Sequence, residues 1–130
     1  MAEESYPEDL RYHREHDWVR VEDGEAVFGV TWYAQDNLGE VVYFDPPSPG
    51  AAVDADGTYG ELESVKAVSD IYAPIGGEVV AVNDAVVERP ELVNEDPYGE
   101  GWLIRVKISD PAELDALMQP AAYRDYLAGL

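Results

Sequence analysis

The chain has 130 residues and a formal net charge of −20, from 28 acidic against 8 basic side chains, with no cysteine. That length suits one domain around a single core, and the missing cysteines exclude a disulfide framework, a thiol nucleophile and a cysteine metal site. The sign of the charge excludes recognition of a phosphate backbone, hence of nucleic acid, and disfavours anionic membranes.

In chain order the pattern is strand-rich and then helical. Trp18-Val19-Arg20-Val21 alternates, Glu22-Asp23-Gly24-Glu25 carries an Asp-Gly hairpin turn, and Ala26 to Val30 continues as a second strand. Thr31 is placed to cap a short helix from Trp32 to Leu38 that Gly39 terminates. Trp32 is expected to be partly exposed. Further strands are expected at Glu40 to Asp45, Thr58 to Val65, Val68 to Tyr72, Glu78 to Val82 and Trp102 to Ile108. Such short strands indicate a sandwich or barrel. Asp110 can then cap a helix with Pro111 in its first position, and Pro120 starts a second one carrying Tyr123, Tyr126 and Leu127. Gly39-Glu40-Val41-Val42 echoes in Gly77-Glu78-Val79-Val80. Either the echo is chance in a β-rich chain, or it marks two similar halves packed face to face, with Lys66 on a hairpin of the second half.

Lys66 is one of only two lysines, the other being Lys107, and it falls between two strand-like segments where a turn would lift its amine clear of the sheet. A lysine there is a candidate attachment point, because its long stem ends in a primary amine that can form an amide. Six of the eight cations are arginine. The acidity itself leaves three readings open: solubility, steering toward basic docking surfaces on partners, and salt adaptation.

Glu63-Ser64-Val65-Lys66-Ala67, with Ser69-Asp70-Ile71-Tyr72-Ala73-Pro74 and Gly76-Gly77-Glu78-Val79 after it, resembles the lipoyl-lysine segment of the H-protein family of the glycine cleavage system. The segments Thr31 to Val42 and Pro90 to Ile104 resemble the same family in the same order, so the likeness runs from about Arg11 to Tyr126. Biotin carriers typically set their lysine between methionines, whereas Val65 and Ala67 flank Lys66; lipoyl domains of the 2-oxo acid dehydrogenases lack the Asn94 to Trp102 segment and the terminal helices. The resemblance implies a hammerhead-type, mainly β antiparallel sandwich or barrel with a short internal helix and C-terminal helices. One domain over residues 1–130 is expected, with residues 1–10 a flexible N-terminus and residues 111–130 helices packed on the sandwich.

By the same resemblance the chain is a carrier and not an enzyme, with lipoate attached covalently to Lys66. Glu63, Ser64, Val65, Ala67, Ser69 and Asp70 would be read by lipoate-attaching enzymes, or else serve turn solubility. The arm would visit a pyridoxal-phosphate glycine decarboxylase, a tetrahydrofolate-dependent aminomethyltransferase and dihydrolipoamide dehydrogenase. His16 and Asp17 match the family's His-Glu-Trp, whose carboxylate lies near the cleft that shelters the loaded arm; here the acid is one methylene shorter, and a solvated strand-edge charge is the alternative for Asp17. Two other readings keep the fold: an H-like protein relaying lipoyl groups to other apoproteins, and an unmodified regulatory interaction domain.

Other patterns carry less. His13 and His16 could share a helix face, but spacing brings no third metal ligand. Asp54-Ala55-Asp56-Gly57 opens like a calcium loop, yet Tyr59 and Val65 stand where glycine and glutamate are required. No nucleophile elbow, phosphate loop or HExxH helix is present. The N-terminal stretch to Asp9 is acidic and lacks the apolar run of a secretory signal or the arginines of a transit peptide, and no window approaches a membrane span. A cytoplasmic monomer is expected, or a matrix protein in a mitochondrial host.

Overall fold

The computed structural model describes residues 2–130. Nine strands appear in chain order: β1 (Arg11–Tyr12), β2 (Asp17–Glu22), β3 (Glu25–Val30), β4 (Val41–Asp45), β5 (Ala52–Val53), β6 (Thr58–Ser64), β7 (Val68–Tyr72), β8 (Gly77–Val82) and β9 (Ile104–Ile108). They form an antiparallel six-stranded sheet, in the order β1-β2-β3-β9-β8-β5, and a three-stranded sheet, β4-β6-β7. Helices α1 (Trp32–Leu38), α2 (Asp84–Glu88), α3 (Leu92–Glu95) and α4 (Pro120–Ala128), with a 3-10 segment at Pro111–Ala116, lie around the sheets.

Local chemistry accounts for the first elements. Asp23 and Gly24 both have positive φ, 51° and 80°, the backbone that a tight two-residue hairpin between β2 and β3 requires. Thr31 Oγ1 accepts from the Ala34 N–H at 3.2 Å, and Gly39 at φ 85° stops α1 after about two turns. Asp110 caps Pro111–Ala116 through the Ala112 N–H, although the segment winds as 3-10 rather than as the α-helix expected.

Burial on two faces builds the core. Val19, Phe28, Ile104 and Val106 of the larger sheet meet Val41, Phe44, Leu62 and Ile71 of the smaller one in one buried cluster. Each such side chain contributes about 1.5–3 kcal/mol by leaving water. A second cluster, Tyr6, Leu10, Tyr12, Trp18, Val27 and Tyr123, covers the far side of the β2–β3 hairpin. Tyr12 and Tyr123 stack there with ring centroids 4.7 Å apart, and Tyr6 meets both edge-on. Trp18 stands directly opposite Gly29, where a Cβ would lie 2.6 Å from the indole, so only glycine fits.

Several expectations need correction. Residues 2–10, read as flexible, lie against the fold: Tyr6 and Leu10 are buried, the Trp32 indole N–H donates to the Ala2 carbonyl at 2.9 Å, and Tyr98 Oη donates to the Ser5 carbonyl. Residue 1 is outside the described residues. Trp32 is partly exposed, as expected, and its indole also anchors that segment. No shared helix face holds His13 and His16, because they flank the β1–β2 turn and diverge, His13 Nε2 to Asp56 Oδ1 at 2.6 Å and His16 Nδ1 to the Tyr123 hydroxyl at 2.8 Å. The echoed strands β4 and β8 fall in opposite sheets, but the Lys66 hairpin joins the sheet of the first copy, not the second.

Candidate functional site

Strands β6 and β7 pair up to Glu63 opposite Val68, which leaves Ser64 to Ala67 as a four-residue turn with Lys66 at its tip. Ser64 closes that turn. Its backbone N–H donates to the Ala67 carbonyl at 2.7 Å, while its Oγ accepts from the N–H groups of Lys66 at 3.2 Å and Ala67 at 3.0 Å. A serine hydroxyl bound to the backbone two and three residues on fixes the turn without apolar support. A third tie comes from outside the hairpin, since the Val65 N–H donates to the Glu40 carbonyl at 3.1 Å.

The base of the hairpin is rigid and its tip is wet. Leu62 and Ile71 are buried in the core, whereas Val65, Lys66, Ala67, Val68, Ser69 and Asp70 are all exposed. Lys66 forms no ion pair among the described residues. Its stem lies over Gly39, where a Cβ would sit 3.3 Å from the lysine Cε. The amine is therefore free for acylation, with nothing to displace. The other lysine, Lys107, lies inside β9 opposite Glu25 and Glu78, away from any turn.

The outer face of the three-stranded sheet continues from this tip. Asp45 of β4, Glu61 of β6 and Asp70 of β7 stand directly opposite one another, and Tyr43, Glu63 and Val68 form the next row toward the hairpin. Glu63 and Ser64 are half-buried.

Beside the hairpin is a cleft of about 330 Å³, lined by His16, Tyr33, Ala34, Leu38, Ala67 and Ser69 among others. His16 is half-buried there, at φ 75°, with its ring 4.6 Å from that of Tyr33. Burial lowers its pKa below the ordinary imidazole value, so the ring is largely neutral at pH 7. Asp17, one residue on, is a different matter. It is neither at the strand edge nor open to the cleft: its carboxyl is 1% exposed, takes the Tyr59 hydroxyl on Oδ2 at 2.6 Å, and leaves Oδ1 without a hydrogen-bond partner. Burial raises its pKa well above the usual carboxylate range, and the Tyr59 hydroxyl and the nearby Tyr72 backbone only partly oppose this. Asp17 is a buried hydrogen bond between the two sheets and does not face the cleft.

Sequence reasoning did not single out Gly39 and Asn94 as parts of the site. Gly39 was legible as a helix stop, and the Lys66 stem also passes over it. Asn94 sits among Leu92 and Val93 in an acidic stretch and is 3% exposed. Among the described residues no group of three or more His, Asp or Glu side chains is arranged to hold a metal ion, and no helix is long and apolar enough to cross a membrane.

A glycine cleavage system H protein of Carboxydothermus hydrogenoformans is 50% identical over 121 residues, 93% of each chain. That of Halorhodospira halophila is 50% identical over 94% of this chain and 95% of its own. The crystal structure of a glycine cleavage system H protein from Mycobacterium marinum superposes with a TM-score of 0.87 at 36% identity, covering 96% of this chain and all of that one. The fold is thus the lipoyl-carrier sandwich that the resemblance implied, and residues 10–129 match the family described as glycine cleavage H-protein. The chain belongs to the glycine cleavage H-protein family.

Proposed function

We propose that this protein is the lipoyl carrier of a glycine cleavage system, with lipoate joined by an amide to Lys66 and presented in turn to glycine decarboxylase, aminomethyltransferase and dihydrolipoamide dehydrogenase. The observation that carries the reading is Lys66 itself, an unpaired lysine at the tip of a turn fixed by Ser64 and tied to Glu40, in a chain of this family. When bound, the lipoyl group supplies a disulfide that accepts electrons together with an aminomethyl group.

The chain's own residues account for holding and presentation. Ser64 gives the attaching enzyme one backbone geometry to read, and Glu63, Val65, Ala67, Ser69 and Asp70 are the side chains around it. Buried Leu62 and Ile71 keep the base of the hairpin still, so that motion is confined to the lysine stem and what it carries. His16, Tyr33, Ala34 and Leu38 give a partly apolar cleft within reach of the turn, in which an arm can be sheltered from water. A neutral His16 there can exchange a hydrogen bond without repelling a protonated amine. Asp17 contributes at one remove, through Tyr59, by holding the two sheets together beneath the cleft.

Coexpression with a lipoate-attaching enzyme followed by intact-mass and peptide analysis tests the reading. One lipoyl group on Lys66 is expected, with none on Lys66→Arg. A mass without any increment, or an increment mapped to Lys107, overturns it. The three partner reactions are then tested by reconstituted glycine decarboxylation, by transfer of the one-carbon unit to tetrahydrofolate with release of ammonia, and by reoxidation with NAD.

A further inference from the structure

The carboxamide of Asn94, on the short helix α3, uses both of its donors and accepts one hydrogen bond beside the Lys66 site, with backbone partners on either side of Glu40. Its Nδ2 donates to the Gly39 carbonyl at 2.9 Å and to Gln35 Oε1 at 3.0 Å, and its Oδ1 accepts from the Val41 N–H at 2.9 Å. The two backbone partners fix the orientation of the amide, because a carbonyl can only accept and an N–H can only donate. Gln35 is buried as well, and its own Nε2 donates to the Trp32 carbonyl at 3.0 Å.

What this clasp holds is the peptide on either side of Glu40. The Glu40 carbonyl is the outside acceptor of the turn, taking the Val65 N–H at 3.1 Å. Gly39, gripped directly by Asn94, is the surface under the Lys66 stem. A buried side chain far away in the chain therefore reaches the lysine through two routes, one along the backbone and one beneath the stem.

We propose that Asn94 is a positioning residue for lipoyl attachment: by clasping Gly39 and Val41 it sets the height of the Glu40 carbonyl and the floor under Lys66, so that the turn is held in the form the attaching enzyme binds. This rests on Lys66 being the attachment point. If the clasp opens, only a fraction of molecules present the lysine correctly, and the apparent affinity for the enzyme falls by that fraction while the chemical step is unchanged. Losing the donors of a buried hydrogen-bonded amide and leaving two carbonyl oxygens unpaired is enough for a change of about tenfold.

Asn94→Asp, of the same shape but with an oxygen facing Gly39 and Gln35, and Asn94→Ser, smaller and uncharged, test this with two readouts. With a lipoate ligase, lipoate and ATP, KM for the protein is expected to rise about tenfold with kcat unchanged. By amide exchange, the Val65 N–H is expected to exchange about tenfold faster while Phe28 and Val106 in the core keep their protection, which separates the clasp from a general loss of stability. A Val65 N–H as protected in the variants as in the wild type overturns the proposal, and so does faster exchange with an unchanged KM. If neither variant folds, the wild type alone decides one limb: a Val65 N–H exchanging at the rate of a free peptide means the turn is not held, and the proposal falls. No lipoyl on wild-type Lys66 would sink the attachment reading instead, and Val65 exchange would still tell whether the clasp holds the turn.

Discussion

On the six-stranded sheet, Arg105 reaches Glu22 at 2.9 Å and Glu25 at 3.5 Å, and Arg20 meets Glu22 at 2.7 Å while covering the Trp18 ring. On the outer face of the three-stranded sheet, Asp45, Glu61 and Asp70 line up opposite one another, and among the described residues none of β4, β6 or β7 takes part in an ion pair. The larger sheet is also covered on its far side by the aromatic cluster of Tyr6, Tyr12 and Tyr123, whereas the smaller sheet leaves Tyr43 and Val68 in water. The contrast separates scaffold from working surface. The larger sheet pairs its β2, β3 and β9 arginines and glutamates, although Val21 and Val80 stay exposed on it, whereas the sheet that carries Lys66 has no ion pair among the described residues. Acylation of that lysine would remove the cation at its tip and leave the hairpin with carboxylates, apolar side chains and the Ser64 and Ser69 hydroxyls.

The sharpest way to break the comparison is to cut the inner face of the small sheet. Leu62 is 1% exposed beneath the Lys66 turn, and Leu62→Ala is expected to lower unfolding free energy by roughly 2–5 kcal/mol. On the same hairpin, Val68→Ser, at an exposed position, is expected to change it by less than about 0.5 kcal/mol. Urea denaturation of the pair measures both, and equal effects would mean that inner and outer faces are not distinguished as described. Next in size is Gly29→Ala on the large sheet, where the new methyl group must push the Trp18 indole aside. Overpacking of this kind costs about 1–3 kcal/mol, and a midpoint equal to wild type would show that the indole moves freely.

Asp17 joins the two sheets, and its effect is pH-dependent. Because burial raises its pKa in the folded state, its contribution to stability is fully present below the ordinary carboxylate pKa of about 3.9 and is lost as pH rises from there through the folded value. The carboxamide introduced by Asp17→Asn does not titrate and can still accept from Tyr59. The stability of Asp17→Asn minus that of wild type, measured by urea denaturation, should therefore grow from pH 4 to pH 8, by at most about 1.4 kcal/mol per pH unit in the window where only the unfolded carboxyl is ionised. A difference that is flat or falls with pH would mean that Asp17 is ionised in the fold.

Much of this was legible in the chain, and the limits have physical causes. The β2–β3 hairpin was readable because Asp23-Gly24 dictates its own turn, and α1 because Thr31 and Gly39 mark both ends. The β6–β7 turn was readable because alternation stops on either side of Lys66. By contrast, Arg11–Tyr12 and Ala52–Val53 are strands only because a partner strand completes them, and two residues hold no period. Asp84–Glu88 and Leu92–Glu95 are too short to display a 3.6-residue repeat. Asp17 reads as a surface acid because alternation assumes one covered face, whereas β2 is covered on both sides at Asp17, Trp18 and Val19. Asn94 was hidden for the same reason: a polar side chain reads as exposed until three partners from distant segments are brought around it.

The smallest expected effect decides what the open sheet's charge is for. Like charges directly opposite across strands are destabilising, by roughly a few tenths of a kcal/mol per pair at exposed positions. Replacing Asp45, Glu61 and Asp70 together by Asn, Gln and Asn should thus raise the urea midpoint slightly at low salt, and the gain should vanish as salt screens the ladder at a Debye length of about 3 Å in 1 M salt. Neutralising three acids of the α2–α3 region, Glu88, Glu91 and Glu95, should not copy this, because Arg89 already offsets Glu91 and Glu95. If the ladder variant is more stable at low salt yet lipoylated more slowly, with a slope against salt shallower than that of wild type, the carboxylates have been kept at a cost in stability for encounter with a basic partner surface. If both triple variants respond alike, the acidity is a property of the whole surface, set by a net charge of −20 and by salt, and the contrast between the two sheets is confined to coverage and to Lys66.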